Sequence, residues 1–158
     1  EHVVQSLEHV REEKHLTCLF THRGNFSSVY VDKNIASLVL RTLLVNAYTY
    51  TEKEKGVEIV LTRGREYVEC SVQDSGLGIP EKEHSKVFSK MFRASNIKDD
   101  SMRGSGLGLY VVKEVLEKIG GKVTFTSKEG EGSTFTAHFP LHGIKKKKGR
   151  TSLDSGVV

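Results

Sequence analysis

The chain has 158 residues, 37% hydrophobic and 28% charged, enough for one domain with a sizeable core and the balance of an ordinary soluble globular protein. No apolar run approaches the length of a membrane span, and the amino terminus carries no signal-peptide pattern. The net charge of +4 comes from one place: Lys145, Lys146, Lys147, Lys148 and Arg150 leave the rest of the chain near neutrality, without a basic stripe of interleaved aromatics for nucleic acid.

Val3, Val4, Leu7 and Val10 recur at helical spacing, so residues 1–14 are expected to form an amphipathic helix. HLTCLFTH (15–22) alternates as a strand does, RGN supplies a turn, and SSVYV reads as a short strand. Asp32 is placed to cap a long helix from Lys33 to about Tyr50, with Ile35, Leu38, Val39, Thr42, Leu43 and Ala47 on one face. Residues 57–63 and 66–73 read as a hairpin, followed by the Gly-rich loop DSGLGIPE and a short helix near 81–86. Residues 89–105 have no core pattern, and a loop that long in a compact domain is usually functional or mobile. A helix over 107–119, closed by Gly120 and Gly121, precedes a last hairpin of KVTFTSK and GSTFTAHFP. Helices against a mostly antiparallel sheet make this an α+β fold. The tail, 142–158, is expected to be basic and disordered.

Cys18 and Cys70 lack metal-ligand or redox-motif spacing and read as buried, reduced thiols. The seven histidines show no metal-binding spacing either. Three other features carry possible chemistry. SMRGSGLGLYVVK (101–113) sets Gly104, Gly106 and Gly108 ahead of a helix, where free N–H groups and the helix dipole favour an anion; a plain tight turn is the alternative. It is neither the dinucleotide-binding GxGxxG nor a P-loop. Asp74 leaves a strand into DSGLG, where it could accept a hydrogen bond from an exocyclic amine such as adenine's, or simply end the strand in an Asx turn. Asn46, inside the apolar LVLRTLLVNAYTY, needs a partner; its oxygen suits Mg²⁺, or the amide pairs with backbone in the core.

Taken in order, these motifs resemble the catalytic ATP-binding domain of sensor histidine kinases, in the GHKL group of ATPases. LLVNAYTYT resembles the N box, DSGLGIP the first glycine box, VFSKMFRA the F box, GSGLGLYVVKEVLEKIGG the second glycine box and GEGSTFTAHFP the terminal hairpin. The likeness is good over residues 28–140 and loose over 1–27. It implies a two-layer Bergerat-type sandwich, a mixed but mostly antiparallel sheet covered on one face by about three helices. It implies ATP and Mg²⁺ as cofactors, with Asn46 on the metal, Asp74 on the adenine amine and Thr134 in support. Tyr50 would cover the base, with Gly76, Gly78 and Ile79 shaping its pocket. Gly104, Ser105, Gly106, Leu107, Gly108 and Leu109 would hinge a lid and cradle phosphates, while Arg93 and Lys90 reach the outer phosphates.

The resemblance further implies phosphoryl transfer to a histidine on a dimerisation domain that residues 1–14 would continue from. No histidine here has an acceptor setting: the neighbours of His2, His9 and His15 do not match. A response regulator would receive the phosphoryl group downstream, and the parent would be a homodimer, cytoplasmic at this domain and possibly anchored to the inner membrane. A GHKL module that binds nucleotide or partners without kinase activity is the alternative. Three departures stand out: Thr49 where Lys or Arg is frequent, Thr42 where a second Asn is common, and Met91 for the second Phe of the F box. Related ATPases that hydrolyse ATP to water need a Glu at the position of Thr42.

Overall fold

The computed structural model describes residues 2–26, 31–98 and 104–141. Residues 27–30 of SSVYV, the middle of the long loop and the basic tail lie outside the described residues. Elements follow in the order α1 (His2–Gln5), α2 (Glu8–Glu13), β1 (Thr17–Arg23), α3 (Lys33–Tyr50), β2 (Gly56–Arg63), β3 (Tyr67–Asp74), a 3₁₀ helix (Glu81–Lys86), α4 (Gly108–Lys118), β4 (Lys122–Lys128) and β5 (Gly132–Pro140). The five strands form one sheet in the order β1-β2-β3-β5-β4, with β1 parallel to β2 and every other pair antiparallel.

The sheet's strands alternate, and the alternation decides which face the helices cover. Val57 and Ile59, Cys70 and Val72, and Phe135, Ala137 and Phe139 are buried against Val39, Leu43, Leu44 and Tyr48 of α3 and Val112 and Leu116 of α4. Full burial of one such leucine is worth about 1.5–3 kcal/mol relative to leaving it in water. The other face is polar: Ser71 bonds Thr136 at 2.9 Å, and His138 meets Thr124 at 3.0 Å and Glu69 at 3.2 Å. Helices on one face of a mainly antiparallel sheet give the α+β fold that the element order implied and the two-layer sandwich that the resemblance implied. Cys70 and Cys18 are free thiols, Cys70 buried and Cys18 half-buried. Burial pushes the Cys70 thiol up to about 12, which keeps it protonated and inert.

Both ends of α3 are tied. At its start the Asp32 carboxylate accepts the N–H groups of Asn34 (2.8 Å) and Ile35 (3.1 Å), the N-cap its position suggested. At its end the Lys14 ammonium donates to the carbonyls of Tyr48 (2.8 Å), Thr49 (2.7 Å) and Thr51 (3.0 Å). These are carbonyls that a helix terminus leaves without a partner, and the cation also suits the negative end of the helix dipole. The amino-terminal segment that carries Lys14 is not one helix. It breaks between α1 and α2, where the Ser6 hydroxyl donates to the Val3 carbonyl and Leu7 turns into the core.

Lys14→Met keeps a long unbranched side chain and removes all three bonds. It should lower unfolding free energy by about 1–3 kcal/mol, read from the midpoint of a urea transition.

Candidate functional site

A cavity of ≈ 420 Å³ opens between α3, the loop after β3, residues 92–97 and the start of α4. That volume lies within the range of small-ligand sites. Its lining is assembled from segments far apart in sequence, each placed by a local rule. From α3 come Arg41, Thr42, Val45, Asn46 and Tyr50, which helical periodicity sets on one stripe. From the end of β3 comes Asp74; Ser133 and Phe135 of β5 lie beside it, because Asp74 pairs directly with Ser133 in the ladder.

Asp74 is only 8% exposed. Its Oδ1 accepts the backbone N–H of Gly76 (2.9 Å) and of Ser133 (3.2 Å), while Oδ2 has no bond among the described residues and remains for a donor in the cavity. Burial raises its pKa, and the two N–H groups oppose that rise. One oxygen of Asp74 thus builds the loop as an Asx turn, and the other is left unbonded in a residue that lines the cavity.

The loop Gly76–Gly78 lies hard against the end of α3. A Cβ on Gly76 would stand 2.3 Å from the Tyr50 carbonyl oxygen, so only glycine fits. Leu77 N–H donates to that same carbonyl at 3.2 Å, which locks this wall of the cavity to the helix end. Across the loop, the Asn96 amide donates to the carbonyls of Leu77 (3.3 Å) and Gly78 (3.0 Å), pinning residues 94–97 over the cavity. The Ser95 N–H, held by Glu83 at 2.9 Å, adds a second anchor. Asn46 is half-buried, lines the cavity and makes no side-chain hydrogen bond among the described residues.

The glycines of GSGLG divide in role. Gly106 has φ +68°, and a Cβ there would come within 2.6 Å of the Met91 backbone, so the turn and the close approach both require glycine. Gly104, Ser105, Gly108 and Leu109 line the cavity, with α4 starting at Gly108. The structure thus brings together Asn46, Tyr50, Asp74, Gly78, Ile79, Arg93, Gly104, Ser105, Gly106, Gly108 and Leu109. Gly76 lies behind the wall, as its contact with Tyr50 requires. Leu107 is 41% exposed and is not part of the lining. Lys90 is elsewhere, its ammonium 4.9 Å from the ring centre of Tyr110. Thr134 shares the strand pair of Gln73, on the polar face, and Ser133 takes the place beside Asp74. The pleat alternates every residue, and a sequence motif alone does not say which of two adjacent hydroxyls faces in.

Sequence reasoning also missed Arg41, Ser133 and Asn96. Ser133 was recoverable by pairing β5 against β3; Asn96 had no local signal at all. Arg93 lies close enough to Tyr50 to oppose the rise that burial gives its phenol. Among the described residues no group of His, Cys, Asp and Glu could by itself enclose a metal ion. Nor is any described helix long and apolar enough to cross a membrane.

A five-stranded mixed sheet with helices on one face, and a cleft between its long helix, the β3 loop and a glycine-led helix, define a Bergerat-type nucleotide-binding ATPase fold. The chain belongs to the family described as histidine kinase-, DNA gyrase B-, and HSP90-like ATPase, whose model matches residues 31–143. It is 34% identical over 125 residues to the adaptive-response sensory kinase SasA of Prochlorococcus marinus, which is 78% of this chain and 32% of that protein. It is 33% identical over 114 residues to the sensor histidine kinase WalK of Bacillus subtilis, covering 71% of this chain and 19% of that one. The chain thus spans a third or less of these relatives. Among solved structures it superposes on the catalytic domain of the histidine kinase ThkA with a TM-score of 0.75 at 26% identity, covering 89% of this chain and 90% of that one. The mycobacterial sensor histidine kinase MprB gives 0.73 at 27% identity, over 89% and 93%.

A carboxyl whose folded pKa is raised stabilises the fold when protonated, and that stabilisation is lost as pH rises through the folded value. Above that value the ionised Asp74 therefore costs stability. Asp74→Asn keeps the Oδ1 acceptor and drops the charge. Its urea midpoint at pH 7 should equal or exceed that of the native chain, with the gap closing in acid; a lower midpoint would show that the charge itself holds the loop.

Proposed function

We propose that this chain is the ATP-binding catalytic domain of a two-component sensor histidine kinase. It would present the γ-phosphoryl group of ATP to a histidine on a dimerisation domain outside this sequence. The observation that carries the reading is the buried, cavity-lining Asp74, with one oxygen committed to the loop and the other unbonded among the described residues. Such an oxygen suits the exocyclic amine of adenine and would reject the carbonyl that guanine presents at the same place. Tyr50, Leu77, Ile79 and Ile97 supply apolar and aromatic surface for the ring.

The phosphates would run toward the start of α4, where unpaired N–H groups and the dipole favour anions. Asn46 lies between the two ends with an amide oxygen that no described residue uses, which fits a hard cation whose other ligands are phosphate oxygens and water. Mg²⁺ held there would neutralise charge on the phosphates. Arg93 can add a guanidinium from the 92–97 segment, and Lys90 could reach the phosphates only by leaving the Tyr110 ring. In the transfer a histidine nitrogen bonds to the γ-phosphorus, the bond to the bridging oxygen breaks and ADP leaves. Positioning and charge neutralisation do most of that work. The downstream response regulator, the homodimeric parent and a cytoplasmic setting belong to the same proposal.

Calorimetric titration with a non-hydrolysable ATP analogue, with and without Mg²⁺ and with GTP as control, tests it. Saturable binding that prefers adenine and strengthens with Mg²⁺ is expected. Asn46→Asp should weaken the Mg²⁺-dependent part, and Asp74→Asn should cost roughly tenfold or more in affinity for every adenine nucleotide. Equal affinity for ATP and GTP would overturn the role of Asp74. Binding without transfer to an added dimerisation domain would leave a nucleotide-binding module and no kinase.

A further inference from the structure

We infer that Arg41 meets the outer phosphates of the bound nucleotide, at the end of the cavity remote from Asp74. The inference rests on the nucleotide reading above and adds to it the group that tells a triphosphate from a monophosphate. Among the described residues that line the cavity, two are cationic, Arg41 and Arg93, and one is anionic, Asp74. Their positions differ. Arg93 is close enough to act electrostatically on the Tyr50 phenol, at the helix end that the Asp74 loop abuts. Arg41 lies nine residues earlier on α3, about 13 Å along the axis at 1.5 Å per residue. Asn46 falls between them.

The start of α4 is at the same end as Arg41. A Cβ on Gly108 would stand 3.0 Å from Cγ2 of Thr42, the residue next to Arg41, so the two helices meet there. Arg41 on one helix and the first N–H groups of the other then border the same end of the cavity, and a guanidinium and a helix N-terminus both favour an anion with several oxygens.

Arg41 is also free to serve. It has no carboxylate at ion-pair distance among the described residues, and its one hydrogen bond there is from Nη1 to the Ser6 hydroxyl at 3.0 Å. That hydroxyl gives its own proton to the Val3 carbonyl at 2.8 Å, so its lone pair is turned to receive Arg41. A guanidinium carries five N–H donors in a rigid fork; one held by Ser6 orients the group and leaves four for phosphate oxygens. The break between α1 and α2 is what sets Ser6 against α3.

Titration of the native chain, Arg41→Ala and Arg41→Gln with AMPPNP, ADP and AMP, all with Mg²⁺, tests the assignment. Arg41→Gln keeps a donor for Ser6 and removes the charge. In both variants AMPPNP affinity should fall roughly tenfold or more, ADP affinity less, and AMP affinity should stay at the native value. Arg41→Lys should recover part of the loss. Equal losses for AMPPNP and AMP in both variants would mean that Arg41 only supports the helix, and unchanged AMPPNP affinity would mean that it does not reach the phosphates; either overturns the inference. A native chain that binds none of the three would overturn the nucleotide reading itself, an outcome distinct from both.

Discussion

The site depends on one close approach: the loop after β3 against the last carbonyl of α3. Gly76 lies where a Cβ would be 2.3 Å from the Tyr50 oxygen, and the Leu77 N–H closes the contact with a hydrogen bond. This contact sets the distance between Tyr50 and Asp74, and so the width of the cavity at that end. The same helix end is held from the other side by the Lys14 ammonium. Thr49, whose type departs from the resemblance, gives Lys14 its backbone carbonyl, while its side chain is not part of the cavity lining.

Charge is distributed along the cavity rather than clustered. A single carboxylate, buried and half-committed to backbone N–H groups, stands at one end; of the two guanidinium groups, Arg93 lies near Tyr50 at that end and Arg41 nine residues earlier on α3. Desolvating Asp74 costs stability, yet the same low-dielectric surroundings strengthen a hydrogen bond that its free oxygen accepts. The loop is built so that the cost falls on the residue that gains most from it. On the opposite wall, α4 brings its N-terminus to the cavity because Gly106 takes a left-handed turn against Met91, a contact no side chain at 106 would permit.

The sequence legible by itself was that of elements and of motif residues. Strand alternation, the helical stripe of α3, the Asp32 cap and the glycine stops are local rules, and the observed elements fall where those rules put them, apart from the division of residues 1–14 into two helices. At that division the Ser6 hydroxyl bonds back to the Val3 carbonyl, a local side-chain contact that hydrophobic periodicity does not record.

What the sequence could not decide was which side of a pleat or which turn of a helix faces the cavity. Thr134 and Ser133 are adjacent hydroxyls, and only the pairing of β5 with Asp74 selects Ser133. Lys90 and Arg93 are both basic residues of one motif, and only the position of Tyr110 draws Lys90 aside. Asn96 and Arg41 belong to no motif; they join the site because chain segments distant in sequence pack against each other. Residue type and spacing fix local conformation and candidate chemistry, since both act over a few bonds. Which candidates share a cavity is settled by packing between distant segments, and that is written in three dimensions alone.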